Sequence, residues 1–141
     1  MGAREVIDRM TASFVQHDLD AVAKVYAADA VVVTPEGEVH GREAIVGYFE
    51  QQLTAFPDSS YELVEGHDAG NVGIDEGYWV GTNTGPLPTP TGETLPATGR
   101  QLRMRVCDIA TVDGGMIVSH RFYYDQLEQL EQLGLLPDTS G

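Results

Sequence analysis

The chain has 141 residues, 42% of them hydrophobic, which is enough for one domain, 1–141, with its own core. A formal net charge of -14, with Lys24 the only lysine, excludes a phosphate-binding surface of clustered cations, so nucleic acid is not an expected partner. No apolar run approaches the ~20 residues that span a bilayer, which excludes a membrane helix, and the lone Cys107 excludes an internal disulfide framework.

Val6, Met10, Phe14 and Val15 recur near helical spacing and predict an amphipathic helix over 3–16. Asp18 or Asp20 can cap a second helix over 19–28, with Leu19, Val22, Ala23 and Tyr26 as its apolar positions. The β-branched run 30–34 reads as a strand stopped by Pro35, with a turn at 36–37 and a short return strand over 38–40. A third helix starts at Gly41, buries Ile45, Tyr48, Phe49, Leu53 and Phe56, and ends at Pro57.

The remainder reads mostly as sheet. Residues 61–67 alternate, 68–73 turn, and 74–84 form a long strand carrying Tyr78, Trp79 and Val80. Gly77 and Gly81 within that strand mark a bend or a close approach. Residues 85–99 hold four of the seven prolines and form a loop. Its length without structure of its own marks it as the border of a pocket mouth that shapes substrate choice. A strand over 100–112, a tight turn at 113–115 and a strand over 116–124 complete the sheet.

Helices first and a meander of strands after them indicate α+β. The expected architecture is a curved antiparallel or mixed sheet that wraps around the three N-terminal helices, with a short C-terminal helix after it and a pocket at the open end. The helices cover one sheet face only, so a homodimer through the other face is expected.

The last strand carries the most chemistry. Met116, Val118, Phe122 and Tyr124 alternate with Ile117, Ser119, Arg121, Tyr123 and Asp125. The second set is odd for a core and suits a cavity wall. Leu127, Leu130 and Leu133 then repeat at helical spacing, with Gly134 and Pro137 as stop signals. Asp125 therefore stands where a strand meets a helix, and it reads either as a helix N-cap or as a buried acid–base carboxylate.

With these elements placed, the chain resembles the SnoaL-like polyketide cyclases, which share the cone-shaped fold of nuclear transport factor 2 and ketosteroid isomerase. The resemblance rests on GYWVGTNTGPLP (77–88), CDIATVDGGMIVSHRFYYDQ (107–126) and LEQLGLLP (130–137), and more weakly on HGREAIVGYF (40–49). It implies cofactor-free acid–base chemistry inside the cone. In cyclases of this type a carboxylate near the end of the last strand removes a proton beside a carbonyl, and the enolate closes a ring on a second carbonyl. Asp125 matches that carboxylate and His120 the histidine before it. Arg121 stands where the family often has Trp. The strand over 101–112 has no histidine, and Cys107 and Asp108 occupy that region.

The residues themselves support a site of this kind. A base acting beside a carbonyl needs a pKa raised toward neutrality and a partner for the developing negative oxygen. Tyr123 lies about 6.8 Å from Asp125 along one strand face and Arg121 about 13 Å. Arg121 can bind a distal carbonyl or carboxylate, pair with Asp108, or form a structural salt bridge. Asp108 interrupts the apolar face of Leu102, Met104 and Val112, where an acid is paired or functional. His120 falls opposite Asp125 unless a bulge reverses the facing. Asp125, Asp108 and His120 are thus the catalytic candidates. Trp79, as a stacking platform, joins Tyr123, Arg121, Tyr48, Phe49, Tyr26, Phe14 and Met104 as candidate substrate contacts. His17, His40 and His67 lack zinc-type spacing, so neither a metal nor another cofactor is expected.

The expected function is cofactor-independent proton abstraction on an apolar, carbonyl-rich small molecule, with polyketide-type aldol cyclisation as its leading form. Epoxide opening or hydration, with Asp108 and Asp125 as base and acid, is one alternative. A non-catalytic small-molecule binder is another. The N-terminus MGAREV lacks the apolar core of a secretion signal, and a single cysteine suits a reducing compartment, so the expected location is cytoplasmic.

Overall fold

A computed structural model describes residues 2–88 and 92–136. Helix α1 (Ala3–Val15) buries Val6, Ile7 and Met10 on one stripe. Helix α2 (Leu19–Val25) is N-capped by Asp18, whose side chain accepts from the Ala21 N–H at 3.1 Å. It is shorter than its periodicity predicts. Tyr26 already pairs with the last strand, so strand β1 (Tyr26–Thr34) takes over residues that local pattern assigns to the helix. Strand β2 (Gly37–His40) and helix α3 (Arg42–Ala55) follow.

The long strands come next. They are β3 (Ser60–Ala69), β4 (Val72–Thr82), β7 (Gln101–Asp113) and β8 (Met116–Tyr124). Between β4 and β7 the described part of the proline-rich segment forms a two-stranded ladder, β5 (Leu87–Pro88) with β6 (Thr94–Leu95). Buried Asn83 pins this segment, donating to Ala55 O and Gly85 O and accepting from Thr98 N–H. Helix α4 (Gln126–Gln132) ends the described chain. Gly114 and Gly115, both at positive φ, make the two-residue turn into β8.

The result is α+β, a six-stranded mixed sheet in the order β2-β1-β8-β7-β4-β3, with only β1 and β8 parallel. The helices line its concave face. One hydrophobic cluster, around Ile7, Tyr26, Val32, Ile45 and Phe49, lies under α1 to α3. A second, around Phe56, Leu102, Met104 and Leu133, lies toward α4. Among the described residues no helix is long and apolar enough to cross a membrane.

The register places the site. Thr111 faces Ser119 but Val112 faces Ile117, so Val118 is an extra residue in β8. Ile117 and His120, three apart, are therefore both fully buried. The opposite face of β4 and β7 is polar: Arg103 stacks on the Tyr78 ring at 3.7 Å and pairs with Glu62 at 2.9 Å. Among the described residues the large apolar side chains exposed on the sheet are Leu63, Val64 and Tyr123.

Candidate active site

The concave face encloses a cavity of about 100 Å³, walled mostly by Met10, Phe14, Phe49, Met104, Val106 and Phe122. Into this apolar wall the sheet inserts one acid and one imidazole. Asp108 comes from the inward face of β7, whose buried positions alternate without a break from Leu102 to Val112. His120 comes from β8, on the same inward face as Phe122 and Tyr124 and opposite Asp125, as the alternation predicts. Asp108 Oδ2 lies 2.7 Å from His120 Nε2, and Tyr26 Oη lies 2.7 Å from His120 Nδ1.

Tyr26 is wholly buried behind the wall, and burial, then the Asp108 carboxylate, push its phenol well above the usual value. A phenol that keeps its proton donates it to Nδ1. Nε2 then carries the ring proton and donates it to Asp108. The chain Tyr26–His120–Asp108 fixes the carboxylate through one oxygen, and Asp108 lines the cavity. Arg4 and Asp75 stand behind it: Asp75 faces Asp108 across β4 and β7 and accepts from Arg4 at 2.7 Å. Burial pushes the Asp75 carboxyl up, against the opposing pull of Arg4.

Two donors in the cavity have no acceptor. Tyr61 Oη and Trp79 Nε1 are buried without a hydrogen-bond partner, and both side chains line the cavity. At another part of the wall Tyr48 and Tyr124 bond each other beside Thr34 and the half-buried Glu36. Burial first, then Glu36, pushes the Tyr124 phenol up to about 12. Burial pushes Tyr48 and Tyr61 up as well. A raised phenol contributes stability that is present below its unfolded value near 10 and lost as pH rises through its folded value. Titration followed at 295 nm should therefore show Tyr26, Tyr48, Tyr61 and Tyr124 ionising late, together with alkaline unfolding. All six tyrosines ionising near pH 10 in the folded protein would contradict this packing.

Of the expected site residues, Asp108, His120, Trp79, Tyr48, Phe49, Phe14 and Met104 line the cavity, and Tyr26 touches it through His120. Three do not. Asp125 is exposed and N-caps α4, accepting from the N–H groups of Leu127 and Glu128 at 3.0 and 3.2 Å. Tyr123 is 52% exposed, and Arg121 faces outward opposite Ile109, away from Asp108. The set expected on the cavity wall lies on the outer face because apolar Phe122 and Tyr124 turn inward. The paired Asp108 and Asp125 required for epoxide opening are accordingly not brought together. Asp125→Ala should cost about 1 kcal/mol of stability and Asp125→Asn almost none. Neither should change turnover, as denaturation and activity measurements would show.

The described proline-rich segment also stays out of the cavity. Leu87 and Leu95 pack into the second core cluster instead, and residues 89–91 of the predicted loop, like Pro137, lie outside the described residues. Burial and the neighbouring acids Asp108, Glu76 and Asp75 push the Cys107 thiol up, which makes it a poor nucleophile. No three His, Cys, Asp or Glu side chains among the described residues could together hold a metal ion. Sequence reasoning missed Tyr61, because its cross-strand neighbour Trp79 is set by the β3–β4 register, which slips between Leu63 and Glu65.

Residues 7–120 match the SnoaL-like domain. Among solved structures, IdmH, a proposed polyketide cyclase from Streptomyces antibioticus, is 24% identical with a TM-score of 0.78, over 95% of this chain and 99% of that one. AclR, a proposed hydroxylase from Streptomyces galilaeus, is 22% identical with a TM-score of 0.80, over 96% and 97%. A hypothetical protein of ketosteroid isomerase-like fold from Catenulispora acidiphila, complexed with trimethylamine, is 22% identical with a TM-score of 0.76, over 94% of each chain. A comparison with curated proteins finds no match.

Proposed function

The chain belongs to the SnoaL-like domain family, and from that premise we propose that it is a cofactor-independent acid–base enzyme acting on an apolar, carbonyl-bearing small molecule. The observation that carries this reading is the Tyr26–His120–Asp108 chain set into an otherwise apolar cavity. Asp108 removes a proton from a carbon beside a carbonyl. The freed electron pair forms the enolate. The enolate carbon then bonds to a second carbonyl carbon, and the proton returns to the new alkoxide. His120 keeps one carboxylate oxygen engaged, so a single oxygen is presented to the C–H bond. Water is scarce in such a wall, and the charge changes are correspondingly stronger.

Aldol cyclisation is the form of this chemistry that we favour. The cavity of about 100 Å³ is smaller than the roughly 300–1,000 Å³ of ligand pockets. It therefore receives the reacting end of a substrate, and the remainder extends through the open side. The test is direct. Cyclohexanone in D2O, followed by proton NMR, should exchange its α-protons faster with the protein than with an equal concentration of its Asp108→Asn variant. Equal rates would overturn the reading.

A further inference from the structure

We infer that Tyr61 and Trp79 form a two-donor cradle for the substrate carbonyl oxygen, and that they hold its negative charge when Asp108 takes the neighbouring proton. The inference rests on Asp108 as the base. It begins with two orphans. Buried donors are almost always paired, yet Tyr61 Oη and Trp79 Nε1 have no partner and belong to one cavity. They are also direct neighbours. Tyr61 and Trp79 are register partners across β3 and β4, so their Cβ atoms stand about 4.5–5.5 Å apart on one face.

The surrounding chain holds this pair in place. A Cβ at residue 77 would lie 2.5 Å from Tyr61 Cζ and Oη, so only glycine lets the phenol lie across β4 there. Phe56 meets the Trp79 ring edge-on at 4.8 Å. Burial first, then the carboxylates of Asp108 and Asp75, keeps the Tyr61 phenol protonated, which makes it a donor, and it lines the same cavity as Asp108.

The class of ligand follows from charge. The cavity wall has the unpartnered Tyr61 and Trp79 donors, the Gln52 amide and one acid and, among the described residues, no Arg or Lys. A carboxylate would meet Asp108 without a counter-cation. A neutral carbonyl is accepted by the donors and gains charge only as Asp108 becomes neutral. In that step the C–H pair forms the enolate C=C bond, the carbonyl π pair moves to oxygen, and both N–H and O–H bonds stay intact while donating to it.

Two measurements test this. In the cyclohexanone exchange assay, Tyr61→Phe should slow exchange by about 100-fold and Trp79→Phe by about tenfold or more. Thermal melting should show both variants folded. The second measurement needs no turnover: 4-nitrophenolate, an enolate mimic, is titrated by absorbance into the Asp108→Asn protein. Adding Tyr61→Phe or Trp79→Phe to that protein should weaken binding about tenfold or more. If neither measurement changes with either donor removed, the cradle is wrong, and an Asp108→Asn defect still stands for the base. If nitrophenolate binding weakens while Asp108→Asn exchanges ketone normally, the cradle holds and the base lies elsewhere.

Discussion

Asp108→Asn is expected to lower ketone exchange by about 100-fold or more, the loss typical of a removed general base, with the fold kept. Asn retains an oxygen at the position of Asp108 Oδ2, so the 2.7 Å bond from His120 Nε2 survives as a bond to a neutral acceptor. What disappears is the lone pair that takes up a proton. Asp125 provides the internal control. Its carboxylate accepts from two N–H groups at the start of α4, so Asp125→Asn should leave exchange unchanged. An active Asp108→Asn protein would remove Asp108 as the base. A dead Asp125→Asn protein would return the base to the end of β8, where the family motif puts it.

How the sequence relates to this site is clearest in β8. Its limits, 116 to 124, follow from alternation, and the helix after it follows from the leucine spacing and the cap. The facing of its first residues does not follow, because a period of two assumes one residue per step on both strands. Val118 breaks that assumption and brings Ile117 to the inward face with His120, and only the pairing of Val112 with Ile117 and Thr111 with Ser119 reveals it. Beyond the bulge the plain signal is sound: Phe122 and Tyr124 are the apolar set and point inward. Asp108 was legible for the same reason, as an acid among Leu102, Met104 and Val112, and the structure keeps it on that face. The Tyr61–Trp79 pair was not legible, since it joins residues eighteen apart through a strand register with its own slip.

The loss of His120 should register in stability rather than in chemistry alone. His120 is 1% exposed and bonds two buried groups at once, Asp108 and Tyr26. His120→Leu keeps an apolar side chain of similar bulk against Phe122, whose ring centroid lies 4.1 Å from the imidazole. It leaves the Asp108 carboxylate without its donor and the Tyr26 hydroxyl without its acceptor. Leaving a buried acceptor or donor without its hydrogen-bond partner costs about 1–3 kcal/mol, and more when the group is charged, which denaturant unfolding at pH 7 would read as a drop in midpoint. One further measurement identifies the cause. Removing the charge by mutation should narrow the gap to the parent protein: the Asp108→Leu/His120→Leu protein should be less damaged than the sum of its single variants. Additive single losses would show that His120 is held by packing alone. The chain from Tyr26 to Asp108 would then have no role in keeping a charged base inside the cone.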